Sequence, residues 1–118
     1  MPPPTLKLLV IKTHRTDELR QFYATLGCDF VEEQHGRGPL HWAADMGKAI
    51  FEIYPLPDKT TPVDTTMRLG LEVAELDEIL SSLEEQQVEI VTAAKETEWG
   101  KRAVVRDPDG RAVELYQK

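Results

Sequence analysis

Two glutamates stand in the middle of short apolar runs, at corresponding places in two similar segments. Glu52 lies in AIFEIYP (49–55) and Glu114 lies in AVELYQK (112–118), and each is followed by an aliphatic residue and a tyrosine. An unpaired carboxylate that leaves water costs several kcal/mol or changes its protonation state. Carboxylates in such surroundings can ligate a metal or act as an acid or base, so each is expected to have a partner that neutralises it.

The chain contains an internal repeat. A shift of 60 residues places DELRQFYATLGCDFV (17–31) over DEILSSLEEQQVEIV (77–91), and a shift of 62 places Glu52 over Glu114. The proline-rich stretch PLPDKTTPVDTT (55–66) has the composition of a connector. A duplicated module is therefore predicted. The expected organisation is a single domain over 1–118, with module 1 at about 6–55, a linker at 56–66 and module 2 at about 67–118.

Each half opens with an apolar run suited to a strand, LKLLVIK (6–12) and MRLGLEV (67–73), and an amphipathic helix follows. Thr16 is the expected N-cap of the first helix. Residues at helical spacing predict one apolar face on each helix, and this face is expected to be core. The members of these faces are Leu19, Phe22, Tyr23 and Leu26 in the first half and Leu76, Ile79, Leu80 and Leu83 in the second.

Three more strands are predicted in each half, and the last two of each set form a hairpin. The turns are DMGK (45–48) and DPDG (107–110), where glycine supplies a positive φ. The sequence thus predicts βαβββ twice, an α+β fold with two mixed sheets. The expected strands span 28–34, 39–45 and 48–54 in the first half and 87–93, 101–106 and 111–117 in the second.

Alternation along the closing strands places each glutamate on the same face as the tyrosine two residues later. The opposite, fully apolar face is expected to pack on the helices. The two glutamate faces are then expected to line a curved, cup-shaped cavity. A pairing of Ala44 with Ala49 at the DMGK turn would put His41 directly across from Glu52. The cavity-facing residues expected on the opening strands are Leu8, Val10, Lys12, Arg68, Gly70 and Glu72.

Composition narrows the function classes. The net charge is -7 and Lys and Arg do not cluster, which argues against nucleic acid or an anionic membrane as a partner. A single cysteine, Cys28, excludes an internal disulfide and a multi-cysteine zinc site, and it is expected to be a core residue. MPPPTLKLLVIK lacks the long apolar stretch of a signal peptide, so a cytoplasmic location is expected.

FYATLG on the first helix, FEIY closing the first half, and WGKRAVVRDPDGRAVELY closing the second together resemble the vicinal oxygen chelate superfamily. This superfamily includes glyoxalase I, bleomycin-resistance proteins, fosfomycin-resistance enzymes and extradiol dioxygenases. The resemblance runs from about Leu6 to Tyr116 and rests on the order of W-G-x-R and D-P-D-G-x-x-x-E-L. It implies a cup formed within one chain or between two, and a homodimer.

In metal-dependent members of the superfamily, a divalent ion such as Zn, Ni, Mn or Fe is held by the first and last strands of both halves. The corresponding positions in this chain are Leu8, Glu52, Arg68 and Glu114. Leucine has no ligand atom and the guanidinium of arginine has no available lone pair, so half of that site is missing and no metal cofactor is expected. Arg68 is instead expected to neutralise Glu52 or Glu114.

The resemblance and the degenerate metal positions favour a small-molecule-binding protein of the glyoxalase and bleomycin-resistance type. An alternative is a metal-dependent lyase of the glyoxalase I type, with Glu52 and Glu114 as ligands and catalytic residues and His41 or water completing the shell. A third hypothesis is a non-catalytic, dimeric interaction protein. His35 is expected in an exposed turn. The expected ligand-binding residues are Arg68, His41, Tyr54, Tyr116, Trp99 and Lys12.

Overall fold

Each half of the chain folds as one strand, one helix and three further strands. The computed structural model describes residues 1–118. The first half contains β1 (Leu8–Thr13), α1 (Thr16–Thr25), β2 (Phe30–Glu33), β3 (His41–Asp45) and β4 (Ile50–Pro55), and the second contains β5 (Leu69–Val73), α2 (Leu76–Glu85), β6 (Ile90–Thr97), β7 (Gly100–Arg106) and β8 (Ala112–Gln117). The tandem βαβββ arrangement predicted from the repeat is confirmed.

The chain divides into two compact units. Unit 1 contains residues 1–24 and 28–63, and unit 2 contains residues 25–27 and 64–118. The boundary between 63 and 64 falls inside the predicted linker, where prolines and polar residues interrupt the periodic pattern.

Both units contain a four-stranded mixed sheet of the same topology. The strand order is β1-β4-β3-β2 in unit 1 and β5-β8-β7-β6 in unit 2. The opening strand runs parallel to the closing strand in each sheet, and the other neighbours are antiparallel. A parallel pair needs a long crossover, whereas antiparallel neighbours can be joined by tight turns. This topology places each glutamate-bearing strand, β4 or β8, in the interior of its sheet.

The apolar face of β4 packs against α1. Phe51 and Ile53 are buried, and the ring of Tyr23 on α1 meets the Phe51 ring edge-on at a centroid distance of 5.0 Å. Burial of each such large side chain contributes about 1.5–3 kcal/mol relative to leaving it in water. Since alternate residues of a strand point to opposite faces, this packing turns Glu52 and Tyr54 away from the helix.

The first turn of α1 differs by one residue from the sequence prediction. The helix begins at Thr16, and the backbone N–H of Leu19 donates to the carbonyl of Arg15 at 3.1 Å. Because the cap residue is the one whose carbonyl accepts the first helical bond, Arg15 occupies that position and the prediction for Thr16 is wrong. The buried hydroxyl of Thr13 accepts the backbone N–H of Arg15. Cys28 is buried as expected, and burial raises the pKa of its thiol to about 11.

The predicted pairing of the DMGK hairpin is wrong by two residues. Ala43 lies opposite Glu52, and the N–H of Met46 donates to the carbonyl of Ala49 at 2.8 Å. Asp45 caps this turn by accepting the N–H of Gly47, whose φ is +93°. A slip of two residues preserves the face on which every side chain lies, because the strand period is two. His41 therefore still shares a face with Glu52, although it is not its direct neighbour.

Candidate functional site

Glu52 and His41 meet on the face of the unit 1 sheet that points away from α1. Glu52 is in the middle of β4, and its side chain is 13% exposed. His41 begins β3 and is 2% exposed. The residue opposite Glu52 is Ala43, whose methyl side chain leaves space for the longer neighbours. The Nε2 atom of His41 consequently lies 3.3 Å from Oε2 of Glu52.

The two nitrogens of the His41 ring have different surroundings. Nδ1 lies 3.2 Å from the carbonyl oxygen of Pro39. A carbonyl can only accept, so this contact assigns a proton to Nδ1, and in the neutral ring Nε2 then carries the lone pair. Nε2 is buried and has no hydrogen-bond partner. The ring stacks on Tyr54 at a centroid distance of 4.0 Å and an interplanar angle of 11°, which fixes its orientation.

Glu33 and His35 approach the same histidine nitrogen from the end of β2. Glu33 pairs with His41 across the β2–β3 hairpin, and its Oε1 lies 3.5 Å from His41 Nε2. His35 Nε2 lies 3.6 Å from the same Glu33 oxygen, and the rings of His35 and His41 are 5.1 Å apart. One ligand atom from each of Glu33, His35, His41 and Glu52 lies within 4.8 Å of the other three. These four residues are called the Glu–His cluster below.

The cluster was only partly predicted from the sequence. His35 is exposed, as its glycine-rich turn predicts, yet its ring still reaches Glu33. Glu33 was not identified. A signal was present in the QHGRGPL segment (34–40), because a hairpin closed by this turn pairs Glu33 with His41.

Tyr54 and Lys12 are neighbours on β4 and β1 and line one cleft of unit 1. The cleft has a volume of about 620 Å³. Partial burial, followed by the negative charges of Glu52 and Glu33, raises the pKa of the Tyr54 hydroxyl above its usual range. The tyrosine therefore stays protonated at neutral pH and can donate a hydrogen bond. The cleft is lined by Lys12, Pro39, Tyr54, Pro55, Leu56 and Pro57.

Glu114 of unit 2 accepts hydrogen bonds from three side chains. Arg102 donates through Nε at 3.0 Å and Nη2 at 2.5 Å to Oε1, and the hydroxyl of Tyr116 donates to the same oxygen at 3.0 Å. Arg68 donates through Nη2 to Oε2 at 2.6 Å. The hydrogen bonds from Arg102, together with those from Tyr116 and the charge of Arg68, hold the pKa of Glu114 below its usual range despite its partial burial. Glu114 is therefore a carboxylate at neutral pH.

The ion pair that the sequence predicted between Arg68 and one of the two glutamates is present, and the glutamate is Glu114. Arg102 was not identified as its second cationic partner. The hairpin at DPDG supplies the missing signal, since its register places Arg102 opposite Tyr116 and on the face of Glu114. Trp99 lies in the turn between β6 and β7 and is 75% exposed.

The four positions that the resemblance implies for a metal do not together fit a divalent ion in this chain. In unit 1, Leu8 offers no ligand atom, and its side chain is exposed on β1. In unit 2, Arg68 brings a positive charge, and both oxygens of Glu114 already accept hydrogen bonds from arginines. Of the two glutamates at these positions, Glu52 is the one whose carboxylate contacts a histidine and no arginine.

The family model for the glyoxalase-like domain matches residues 6–118, almost the whole chain. The chain belongs to the glyoxalase-like family. The resemblance to the vicinal oxygen chelate superfamily is thereby confirmed. Comparison with curated protein sequences gives no match. The two helices of the fold are too short and too polar to cross a membrane.

Several solved structures are similar to this glyoxalase-like protein over nearly its full length. TnmS3, an antibiotic-binding protein from Streptomyces sp. CB03234, is 26% identical, with a TM-score of 0.75 over 99% of this chain and 98% of that chain. A glyoxalase/bleomycin resistance protein from the same strain is 25% identical, with a TM-score of 0.70 over 96% and 100%. A lactoylglutathione lyase from Agrobacterium tumefaciens is 16% identical, with a TM-score of 0.68 over 99% and 96%, and shares the fold.

Proposed function

We propose that this glyoxalase-like protein binds a small organic molecule, and that the four family positions Leu8, Glu52, Arg68 and Glu114 do not together hold a metal. The observation that carries the proposal is the engagement of both Glu114 oxygens by Arg68 and Arg102. A metal ion at Glu114 would have to displace two guanidinium groups that already satisfy its charge. The similarity to an antibiotic-binding protein supports a binding function.

The cleft of unit 1 suggests the chemistry of the ligand. Three prolines, a leucine and the Tyr54 ring give it an apolar wall, and Lys12 contributes one positive charge. Ligand sites commonly combine such an apolar lining with a few polar groups that fix orientation. A flat aromatic molecule could stack on exposed parts of this wall, while its carbonyl or acidic group accepts from the Lys12 ammonium or the Tyr54 hydroxyl.

Binding is tested by isothermal titration calorimetry with bleomycin and with a panel of planar aromatic antibiotics. The expected result is a dissociation constant in the micromolar range or below for at least one planar compound. Tyr54→Ala and Lys12→Ala should each weaken that binding by about fivefold, because each removes about 1 kcal/mol of stacking or charge-assisted hydrogen bonding. Lys48→Ala, in the exposed turn between β3 and β4, is the matched control and should bind as the wild type does.

The lyase alternative has its own test. Turnover of the methylglyoxal–glutathione hemithioacetal that is lost in Glu114→Gln would contradict the proposal and favour a glyoxalase I activity. Absence of turnover, together with binding of an aromatic compound, would support the proposal. The same titrations test the hypothesis of a non-catalytic interaction protein, because such a protein should bind no small molecule in the panel. We also propose that the protein is a homodimer, as the resemblance implies, and sedimentation equilibrium should then give twice the mass of one chain.

A further inference from the structure

We propose that the Glu–His cluster of unit 1 binds one divalent first-row transition-metal ion, with Glu33, His35, His41 and Glu52 as its protein ligands. This set shares only Glu52 with the four family positions, and its other three members come from the β2–β3 hairpin. The inference goes beyond small-molecule binding, because the ion would be held by these side chains without an organic ligand.

The spacing of the ligand atoms suits a small ion at their centre. Zinc bonds to imidazole nitrogen and carboxylate oxygen are about 2.0–2.2 Å long, so the corners of a tetrahedral site lie about 3.4 Å apart. The nitrogen–oxygen separations are 3.3 Å from His41 to Glu52, 3.5 Å from His41 to Glu33, and 3.6 Å from His35 to Glu33. All four atoms lie within 4.8 Å of one another, so closure around an ion needs only small side-chain rotations.

His41 provides the independent evidence for a ligand. Its Nε2 atom is buried, has no hydrogen-bond partner and lies close to two carboxylates. An orphaned buried nitrogen costs free energy unless something binds it. The contact between Nδ1 and the Pro39 carbonyl fixes the tautomer in which Nε2 can donate its lone pair to a metal. This arrangement of a ligand histidine held by a carbonyl is the usual outer support of protein metal sites.

Charge and ligand type narrow the identity of the ion. Two carboxylates facing one neutral imidazole repel each other, and a dication would neutralise both. Calcium and magnesium prefer all-oxygen sites, whereas two imidazoles with two carboxylates suit zinc, cobalt, nickel, manganese or ferrous iron. His41 is buried and Glu52 is half-buried, while Glu33 and His35 are more exposed, so the site has an open side through which an ion can enter. The competing occupant is a proton on His41, shared with the two glutamates.

The experiment uses the full chain after treatment with a chelator. Zn²⁺ binding is measured by calorimetry, and Co²⁺ is used as a spectroscopic probe because tetrahedral coordination by nitrogen and oxygen gives visible absorption. We expect one ion per chain. His41→Ala should weaken Zn²⁺ binding at least about 100-fold, since loss even of an outer support costs about 10–100-fold. Glu33→Gln and His35→Ala should each weaken it at least about tenfold.

The variants are chosen so that a folding defect cannot hide the result. His41 is buried, but Glu33 and His35 are partly or well exposed, and their replacement should leave the circular dichroism spectrum unchanged. His14→Ala is the matched control, because His14 is an exposed histidine outside the cluster whose ring contacts the Thr61 carbonyl. Its Zn²⁺ affinity should equal that of the wild type.

Two results would overturn the proposal. One is a wild-type chain that takes up neither Zn²⁺ nor Co²⁺, which would leave the proton as the partner of His41. The other is binding that survives both Glu33→Gln and His35→Ala unchanged, or that disappears in His14→Ala. Neither result bears on the binding of aromatic compounds, which is measured separately in the cleft.

Discussion

Arg68, one residue before β5, places a guanidinium nitrogen 2.6 Å from a carboxylate oxygen of Glu114 on β8. Arg102 holds the other oxygen, so within unit 2 two side-chain cations neutralise Glu114. A carboxylate in this state is a fixed acceptor with a lowered pKa.

The two arginines should contribute unequally to the stability of unit 2. Arg102 donates two hydrogen bonds to Glu114 and is mostly buried among its neighbours, whereas the side chain of Arg68 is 64% exposed. Exposed ion pairs contribute little because water screens them. Arg102→Met should lower Tm more than Arg68→Met does, as measured by differential scanning calorimetry. Equal effects would contradict the unequal roles assigned to the two arginines.

The stabilising effect of the Glu114 carboxylate should depend on pH in the acid range. The folded-state pKa of Glu114 is depressed, so its contribution to stability is full above the unfolded value of about 4.3 and is lost as the pH falls through the lower folded value. The difference in Tm between the wild type and Glu114→Gln should be constant above about pH 5 and shrink below about pH 4. Thermal melts from pH 3 to 7 measure it. A difference that grows on acidification would refute this linkage.

Asp107 and Arg111 form a buried ion pair in the turn between β7 and β8. Arg111 is 1% exposed, and its Nη1 lies 3.1 Å from Asp107 and 2.9 Å from Asp109. Removal of one partner of a buried pair leaves a charge poorly compensated, although Asp109 still offsets part of it. Asp107→Asn should lower the free energy of unfolding by about 2–3 kcal/mol in urea denaturation.

The matched control for that change is Asp77→Asn, which breaks the exposed pair with Lys101 on the surface of unit 2. Surface pairs of this kind contribute about 0–1 kcal/mol. If Asp107→Asn lowers the free energy of unfolding no more than Asp77→Asn does, then burial does not strengthen the Asp107–Arg111 ion pair.

Both helices end in the same backbone motif, but with different residues at the critical position. After α1, Gly27 has a φ of +117° and the N–H of Cys28 donates to the carbonyl of Tyr23. After α2, Gln87 has a φ of +62° and the N–H of Val88 donates to the carbonyl of Leu83. Glycine is the residue that adopts this left-handed conformation without a steric cost from Cβ.

Gln87→Gly should therefore raise the free energy of unfolding by about 0.5–1 kcal/mol, since relief of the left-handed strain exceeds the added entropy of the unfolded chain. Urea denaturation measures the change. Gln86→Gly, one residue earlier where φ is -86°, is the control and should destabilise the protein instead. Equal destabilisation by both changes would show that Gln87 is not strained.

The architecture of the two modules can be predicted from residue types alone. The repeat, the alternation on the strands and the helical apolar faces depend only on residue type and spacing, and these patterns survive errors of one or two residues at element ends. The placement of Glu52 and Glu114 at equivalent strand positions follows from the same periodicity. The expectation that Arg68 pairs with one of them comes instead from the resemblance to the vicinal oxygen chelate superfamily.

The contacts between side chains depend on how the folded strands pair. The DMGK hairpin is offset by two residues from the predicted pairing, which left every face correct but brought Ala43, not His41, opposite Glu52. Arg102 and Glu33 acquire their roles through hairpin register, across turns whose length the residue pattern does not specify uniquely. Contacts of about 3 Å depend on the register and rotamers of several strands together. The partners of the two glutamates, an arginine pair for Glu114 and a histidine for Glu52, were therefore decided by the assembled sheets.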